Sequence, residues 1–185
     1  MNANGNPKVG VIFKSYEPLD AMERYARQTE KYNLDGGFWI AEAYHWFRKY
    51  GLESRGCFTT LAAVSMVTSE IPIGLGITSP YIRHPTVLAS EAGAVDELSG
   101  GRFIMGIGVG KVGIEYLEYD TDVMKPVPVH HEAMEIMRKV FSGEAFEYKG
   151  RFFESSMPAY DRKGAGLRTD IPIYVGATGP YMQRL

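Results

Sequence analysis

The chain has 185 residues, 45% of them hydrophobic and 23% charged, with a formal net charge of -2. That is the composition of a soluble globular protein with one core, and it gives no electrostatic case for nucleic acid or an anionic membrane. Cys57 is the single cysteine, which excludes an intrachain disulfide and a thiol metal cluster and suits a reducing compartment. Small molecules and other subunits are the expected partners. The opening MNANGNPK lacks a basic region followed by an apolar run, and no window approaches about 18 continuous apolar residues. The chain reads as one cytoplasmic domain over 1–185, with Cys57 buried and structural.

Short apolar runs rich in β-branched residues alternate with segments of helical period, the pattern of βαβ units. The first strand is KVGVIF, residues 8–13, followed from Pro18 by a helix carrying Leu19, Met22, Tyr25, Ala26 and Tyr32 on one face. The second strand, GFWIAEA, leads into an aromatic and basic loop over 44–56 and then the helix FTTLAAVSMVTS. The third, IPIGLGITS, precedes a helix from Pro85 to Leu98 that Gly100 and Gly101 stop. After the fourth, RFIMGIGVG, come a tyrosine- and acid-containing connection over 111–126 and a helix ending at Gly143. AFEYKGRFFES alternates about Lys149-Gly150 and is expected to be a two-residue-turn hairpin inserted before the fifth strand, IPIYVGATG. The final PYMQRL reads as the first turn of a further helix.

Right-handed βα units suit either a doubly wound sheet or a (β/α)8 barrel. A dinucleotide sheet would carry G-x-G-x-x-G after the first strand, where this chain has FKSYEP. Glycines and small polar residues instead mark the C-terminal ends of strands three to five, the face on which barrels place their sites. The expected fold class is therefore α/β of the TIM (β/α)8-barrel type, truncated to about the first five strands, with a small hairpin before the fifth. Such a half-barrel would leave two unpaired edges and an apolar inner face, so a homo-oligomer or other partner chain is expected.

GIGVGK over 106–111 is not a Walker loop, because Met105 replaces the first glycine and Val112 follows the lysine. Its glycines either let a ring or phosphate approach the backbone or only permit tight packing. GATG over 176–179 is either an anion cradle or a plain turn. Arg83 could pair with Asp96 or Glu97, and His84 could cap the helix at Pro85. Glu42 places a carboxylate at the end of the second strand, as a candidate acid or base or as a solvated loop acid. The loop residues Tyr44, His45, Trp46, Arg48 and Arg55 suit a stacked ring, an acidic tail or a subunit contact. His130 and His131 face different directions on a helix, and no histidine pair has metal-motif spacing, so no metal site is expected.

ITSPYIRHPTVLASEAGAVDELSGGRFIMGIGVG resembles the third-to-fourth-strand region of the luciferase-like monooxygenase superfamily, most closely its coenzyme F420-dependent branch, which includes methylenetetrahydromethanopterin reductases. FWIAEAY, HHEAMEIMRKVFSGEAFEYKGRFFE and IPIYVGATGP are similar to later and earlier segments of that family in the same order. The resemblance implies a barrel that binds F420, or alternatively FMN, at the C-terminal strand face. It implies a non-prolyl cis peptide bulge in the third strand, carried over to Gly76-Ile77 with Thr78 beside it, pressed against the cofactor ring. It further puts Gly108 and Gly110 near the cofactor and Gly176, Ala177, Thr178 and Gly179 near its phosphate. Many F420 relatives read WITDHY where this chain has WIAEAY, so Glu42 stands for the acid and Ala43 for the histidine. Reductases of that branch also tend to carry a first-strand carboxylate where this chain has Ile12. The implied activity is hydride transfer between deazaflavin C5 and a small organic substrate. The alternatives are an FMN-dependent monooxygenase or a truncated, non-catalytic flavin-binding or oligomeric remnant.

Overall fold

The structure, a computed structural model, describes residues 7–110 and 125–185, so the connection expected over 111–126 lies outside the described residues except at its last two positions. In chain order the elements are β1 (Gly10–Lys14), α1 (Leu19–Lys31), β2 (Gly37–Ala41), a 3-10 turn (Trp46–Tyr50), α2 (Cys57–Val67), β3 (Ile73–Leu75), α3 (Pro85–Leu98) and β4 (Phe103–Gly108). Then follow α4 (Pro126–Ser142), β5 (Phe146–Lys149), β6 (Glu154–Met157), β7 (Ile173–Gly176) and a 3-10 turn (Met182–Arg184). Strands β1, β2, β3, β4 and β7 form one parallel sheet in that order, and β5 and β6 form a separate antiparallel hairpin.

Which face of the sheet is covered distinguishes the two topologies left open by the sequence. A doubly wound sheet has helices on both faces, whereas a barrel has them on one. Met22 and Ala26 of α1, Phe58, Leu61 and Val64 of α2, Leu88, Ala92 and Val95 of α3, and Met137 and Phe141 of α4 join one buried cluster with Phe38, Ile40, Ile73, Leu75, Phe103, Met105 and Ile107. Consecutive helices pack on each other: α1 on α2, α2 on α3, α3 on α4. On the opposite face Ile12 and Tyr174 are each 57% exposed. The arrangement is an open part of a barrel wall, with β1 and β7 as its outer strands.

Local chemistry explains the element ends. In α1 Met22 and Ala26 of the expected apolar face are buried with Ala21 and Thr29, whereas Leu19 and Tyr32 at its ends are exposed, and the chain leaves the helix through Asn33 at positive φ. Gly143 ends α4 at φ 76°, where a Cβ would collide with the carbonyl of Tyr160. His84 caps α3, its ring nitrogen accepting from the Thr86 N–H, and Pro85 follows at the first helical position. Cys57 is fully buried, and burial pushes its thiol well above the usual range. The hairpin differs from its expected two-residue turn. Lys149 pairs with Glu154, so Gly150 to Phe153 form a four-residue loop, because Glu132 of α4 accepts from the N–H groups of Arg151, Phe152 and Phe153.

Two arginines tie the N-terminal side together. Arg102 donates to the carbonyls of Ser65, Thr68, Ile71 and Ser99, joining the ends of α2 and α3 to the entry of β3. Asp96, 3% exposed on α3, is held by Arg168, whose guanidinium also reaches the Phe103 carbonyl at 2.8 Å. This overturns the expected partner of Asp96: the cation comes from the segment before β7 and not from Arg83. Burial pushes the Asp96 carboxyl up, with Arg168 opposing. Arg168→Met is expected to lower unfolding free energy by about 2–4 kcal/mol, since it strands a buried carboxylate whose partner is partly solvated. Urea denaturation of the variant beside the parent checks this, and a loss under about 0.5 kcal/mol would contradict it.

Candidate functional site at the C-terminal strand ends

Strand β3 stops at Leu75, and pairing with β4 resumes at Thr78 opposite Ile107. Between them the Gly76-Ile77 peptide is cis, at the position implied by the family resemblance. The bulge is fastened on both sides. Gly76 N–H donates to the Ile40 carbonyl at 2.9 Å, and Glu42 N–H donates to the Ile77 carbonyl at 3.3 Å. Thr78 N–H donates to Gly106 at 3.0 Å, and Gly108 N–H to Thr78 at 2.9 Å.

The glycines singled out in β4 and β7 meet at one side chain. A Cβ on Gly108 would lie 3.1 Å from Ile77 Cδ1, and one on Gly176 would lie 3.1 Å from Ile77 Cγ2. Gly110 stands 3.7 Å from Ile77 Cδ1 on the same measure, and Gly106 stands 3.4 Å from Ile77 Cγ2. The small residues therefore seat Ile77, which lies across the inner face of β4 and β7. Below it Trp39 crosses Gly74, stacks on Tyr174 at 6.1 Å and donates its indole N–H to Gly36. The inner face thus has an aromatic floor, and above the floor a level made of Ala41, Gly76 and Ile77. Trp39 and Tyr174 were not singled out from the sequence, although alternation along β2 and β7 puts both on this face.

Glu42 follows the parity of Phe38 and Ile40 and turns to the helix side, where its side chain is only 5% exposed. Arg83 binds both its carboxylate oxygens, Nη1 to Oε2 and Nη2 to Oε1, each at 2.8 Å. The Thr78 hydroxyl also donates to Glu42 Oε2. Arg83 Nε in turn lies 3.2 Å from Glu91 of α3, and its guanidinium sits 5.5 Å from the Phe58 ring centroid. Arg83 accordingly pairs with Glu42 and Glu91, and the expectation of Asp96 or Glu97 is corrected. Glu42 is no solvated loop acid, and the bidentate fork gives it one fixed geometry. Two carboxylates share one guanidinium. Burial pushes Glu91 up from its ordinary 4.5, and Glu42 adds to the rise while Arg83 opposes it.

The end of β7 is open. Gly176 and Thr178 are exposed, and a Cβ on Gly179 would meet nothing within 4 Å. Among the described residues the N–H groups of Thr178 and Gly179 have no hydrogen-bond acceptor. Open amides at an all-small turn suit an anionic oxygen, and the low-bulk level over the Trp39–Tyr174 floor, into which the end of Ile12 leans, suits a planar ring. The residues present fit the cofactor that the resemblance implies. Of the loop residues, Arg48 and His45 face Glu53, and Arg55 binds the Tyr16 carbonyl, which ties that loop to the end of β1.

Arg83→Met is expected to destabilise the fold by about 2–4 kcal/mol, because Glu42 is left buried without its cation, whereas Glu91→Gln costs under about 1 kcal/mol. The raised Glu91 carboxyl makes the native state bind the extra proton, so stability falls as pH rises from about 4.5 through the higher folded value. Urea midpoints across that window should show Glu91→Gln removing this downward slope. An unchanged slope in the variant would sink the assignment.

Comparison with known proteins bears on the family and the fold. The family model described as luciferase-like monooxygenase matches residues 4–185. A 5,10-methylenetetrahydromethanopterin reductase of Archaeoglobus fulgidus is 33% identical over 183 residues, covering 96% of this chain and 49% of the relative. An F420-dependent glucose-6-phosphate dehydrogenase of Amycolatopsis mediterranei is 25% identical, over 92% of this chain and 51% of its own. The solved coenzyme F420 dependent tetrahydromethanopterin reductase from Methanopyrus kandleri superposes with a TM-score of 0.77 at 25% identity, over 95% of this chain and 51% of that one. The chain spans about half the length of the relatives it matches. With the match running through every strand of the sheet, the chain belongs to the luciferase-like monooxygenase family.

Proposed function

We propose that this chain forms the cofactor-holding part of an F420-dependent oxidoreductase that transfers hydride between a deazaflavin and a small organic substrate. The observation that carries this reading is the low-bulk inner-face level made by Ala41, Gly76 and Ile77 over the Trp39–Tyr174 floor. Similarity to the F420-dependent relatives supports it. When bound, the deazaflavin supplies C5, the carbon that gives or takes the hydride.

In this reading the chain's own residues do the positioning. Ile77, seated on Gly106, Gly108 and Gly176, gives the ring a fixed apolar rest and excludes water beneath it. The Thr178 and Gly179 amides hold a phosphate oxygen. Glu42, held on the helix side by Arg83 and the Thr78 hydroxyl, takes a positioning role for the Gly76-Ile77 level in place of the acid or base role expected from the sequence. The exposed inner side chains Ile12 and Tyr174 support burial against another chain, a second copy in this reading.

Fluorescence titration of the chain with F420 and separately with FMN, with the mass in solution measured alongside, tests the proposal. F420 is expected to bind at least about tenfold more tightly, some 1.4 kcal/mol. Tighter FMN binding would move the reading to a flavin monooxygenase, and binding of neither would overturn it for this chain. Gly179→Val is expected to weaken F420 about tenfold with an unchanged urea midpoint, because its added side chain meets only open space. Unchanged affinity would remove the phosphate role of that turn. Glu42→Gln should weaken cofactor affinity and lower turnover together by loosening the Arg83 fork, and unchanged affinity would remove Glu42 from positioning the ring.

A further inference from the structure

Lys14 is the last residue of β1, and its face is settled by its neighbours. Val11 and Phe13 pack toward α1, Phe13 stacking on Tyr25 at 4.8 Å and on Phe38 at 5.0 Å. The alternate residue Ile12 faces the interior of the barrel wall, with its Cδ1 2.9 Å from the place of a Cβ on Gly76. One pleat further on, Lys14 falls on the same inner face, toward the C-terminal rim.

Its level is settled by register. Lys14 pairs with Ala41. Ala41 lies between Ile40, whose carbonyl accepts from Gly76, and Glu42, whose N–H donates to Ile77. Lys14 therefore stands level with the Gly76-Ile77 peptide, two strands away, or about 10 Å at the usual strand spacing. Between them the inner face carries the methyl of Ala41 and, from the floor side, the end of the Ile12 side chain at Gly76. Lys14 is exposed, and among the described residues no carboxylate lies within ion-pair distance of it. The nearest acid along the sheet, Glu42, turns to the other face and is neutralised by Arg83. Arg55 adds a second positive charge over the end of β1, bound there to the Tyr16 carbonyl.

We propose that Lys14 is a specificity-determining residue that binds an anionic oxygen, carboxylate or phosphate, of an organic substrate above the Gly76-Ile77 level. The inference rests on the reading of this face as the reaction face. An ammonium on a flexible four-carbon stem is a point charge that meets either oxyanion without demanding a planar partner. The small residues at its level leave the room that such a group needs.

The test reads Lys14 directly and does not require turnover. The chain is acetylated with an amine-reactive ester, and the labelling of each lysine is followed by peptide mass spectrometry. Succinate, glycerol phosphate and the neutral butane-1,4-diol are compared at equal concentration, with and without F420. Labelling of Lys14 is expected to slow about tenfold with either anion and to stay unchanged with the diol, while Lys8 and Lys31 do not respond. Protection by one anion alone identifies which oxyanion the site takes. By equilibrium dialysis, Lys14→Met should lose anion binding about tenfold and Lys14→Arg should keep it. Lys14 protected no more than Lys8, or full binding by Lys14→Met, overturns the inference even where F420 binds. Protection of Lys14 in a chain that does not bind F420 keeps the anion site and overturns only the deazaflavin reading.

Discussion

The bidentate pair between Glu42 and Arg83 is the interaction on which the site depends. It crosses from the end of β2 to the segment leading into α3, and through the Thr78 hydroxyl it also grips the residue after the bulge. Breaking one partner of such a pair costs far more than the pair contributes net, so its presence fixes a geometry more than it adds stability. The geometry fixed here is that of Gly76 and Ile77, which hang between β2 on one side and β4 on the other. Arg83 reaches Glu91 as well, so the position of α3 is referred to the same guanidinium. A helix, two strand ends and an irregular backbone segment share one buried anchor.

That anchor is on the helix side, and its consequence is on the other. Because Glu42 and Thr78 spend their polar groups on each other and on Arg83, the inner face at this level is left with Ala41, Gly76 and Ile77. The glycines of β4 and β7 have a cooperative part. Gly108 and Gly176 each lack the Cβ that would crowd Ile77, while a Cβ on Gly106 would first strike the Leu75 carbonyl, and their joint effect is to let one branched side chain lie across two strands. Substitution at Gly108 or Gly176 would be felt at the other, since both act through the same contact with Ile77.

The sequence carried the order of elements well, because periodicity and Gly/Pro punctuation are local signals. The five parallel strands, their helices and the His84–Pro85 helix start were all legible. The hairpin turn was misread because Gly150 suggested a tight turn, whereas Glu132, eighteen residues earlier, captures three amides and widens the loop. Arg83 and Asp96 were misassigned to each other for a related reason: both lie in or beside α3, and proximity along the chain is a poor guide to ion pairs in a layered fold. Their partners Glu42 and Arg168 lie 41 and 72 residues away. The glycines were legible as special, but the object that they accommodate, Ile77, depends on the path of the bulge. Lys14 could have been placed on the inner face by alternation alone, yet only the register through Ala41 shows its level.

Along the inner face, from the N-terminal side to the C-terminal rim, the chemistry changes in ordered steps. Trp39 and Tyr174 form a stacked floor, Gly76 and Ile77 form a level with little bulk that Lys14 shares two strands away, and the open Thr178 and Gly179 amides follow at the rim. Polarity therefore increases in the direction from which a ligand would enter. A planar molecule with an anionic end gains from both parts of this gradient only when its ring is inward and its charge is at the rim. The inverse orientation would bury the charge against Trp39 without a partner, at a desolvation cost that nothing on the floor offsets. In the proposed reading, orientation is set by where this part of the barrel wall places its few polar groups.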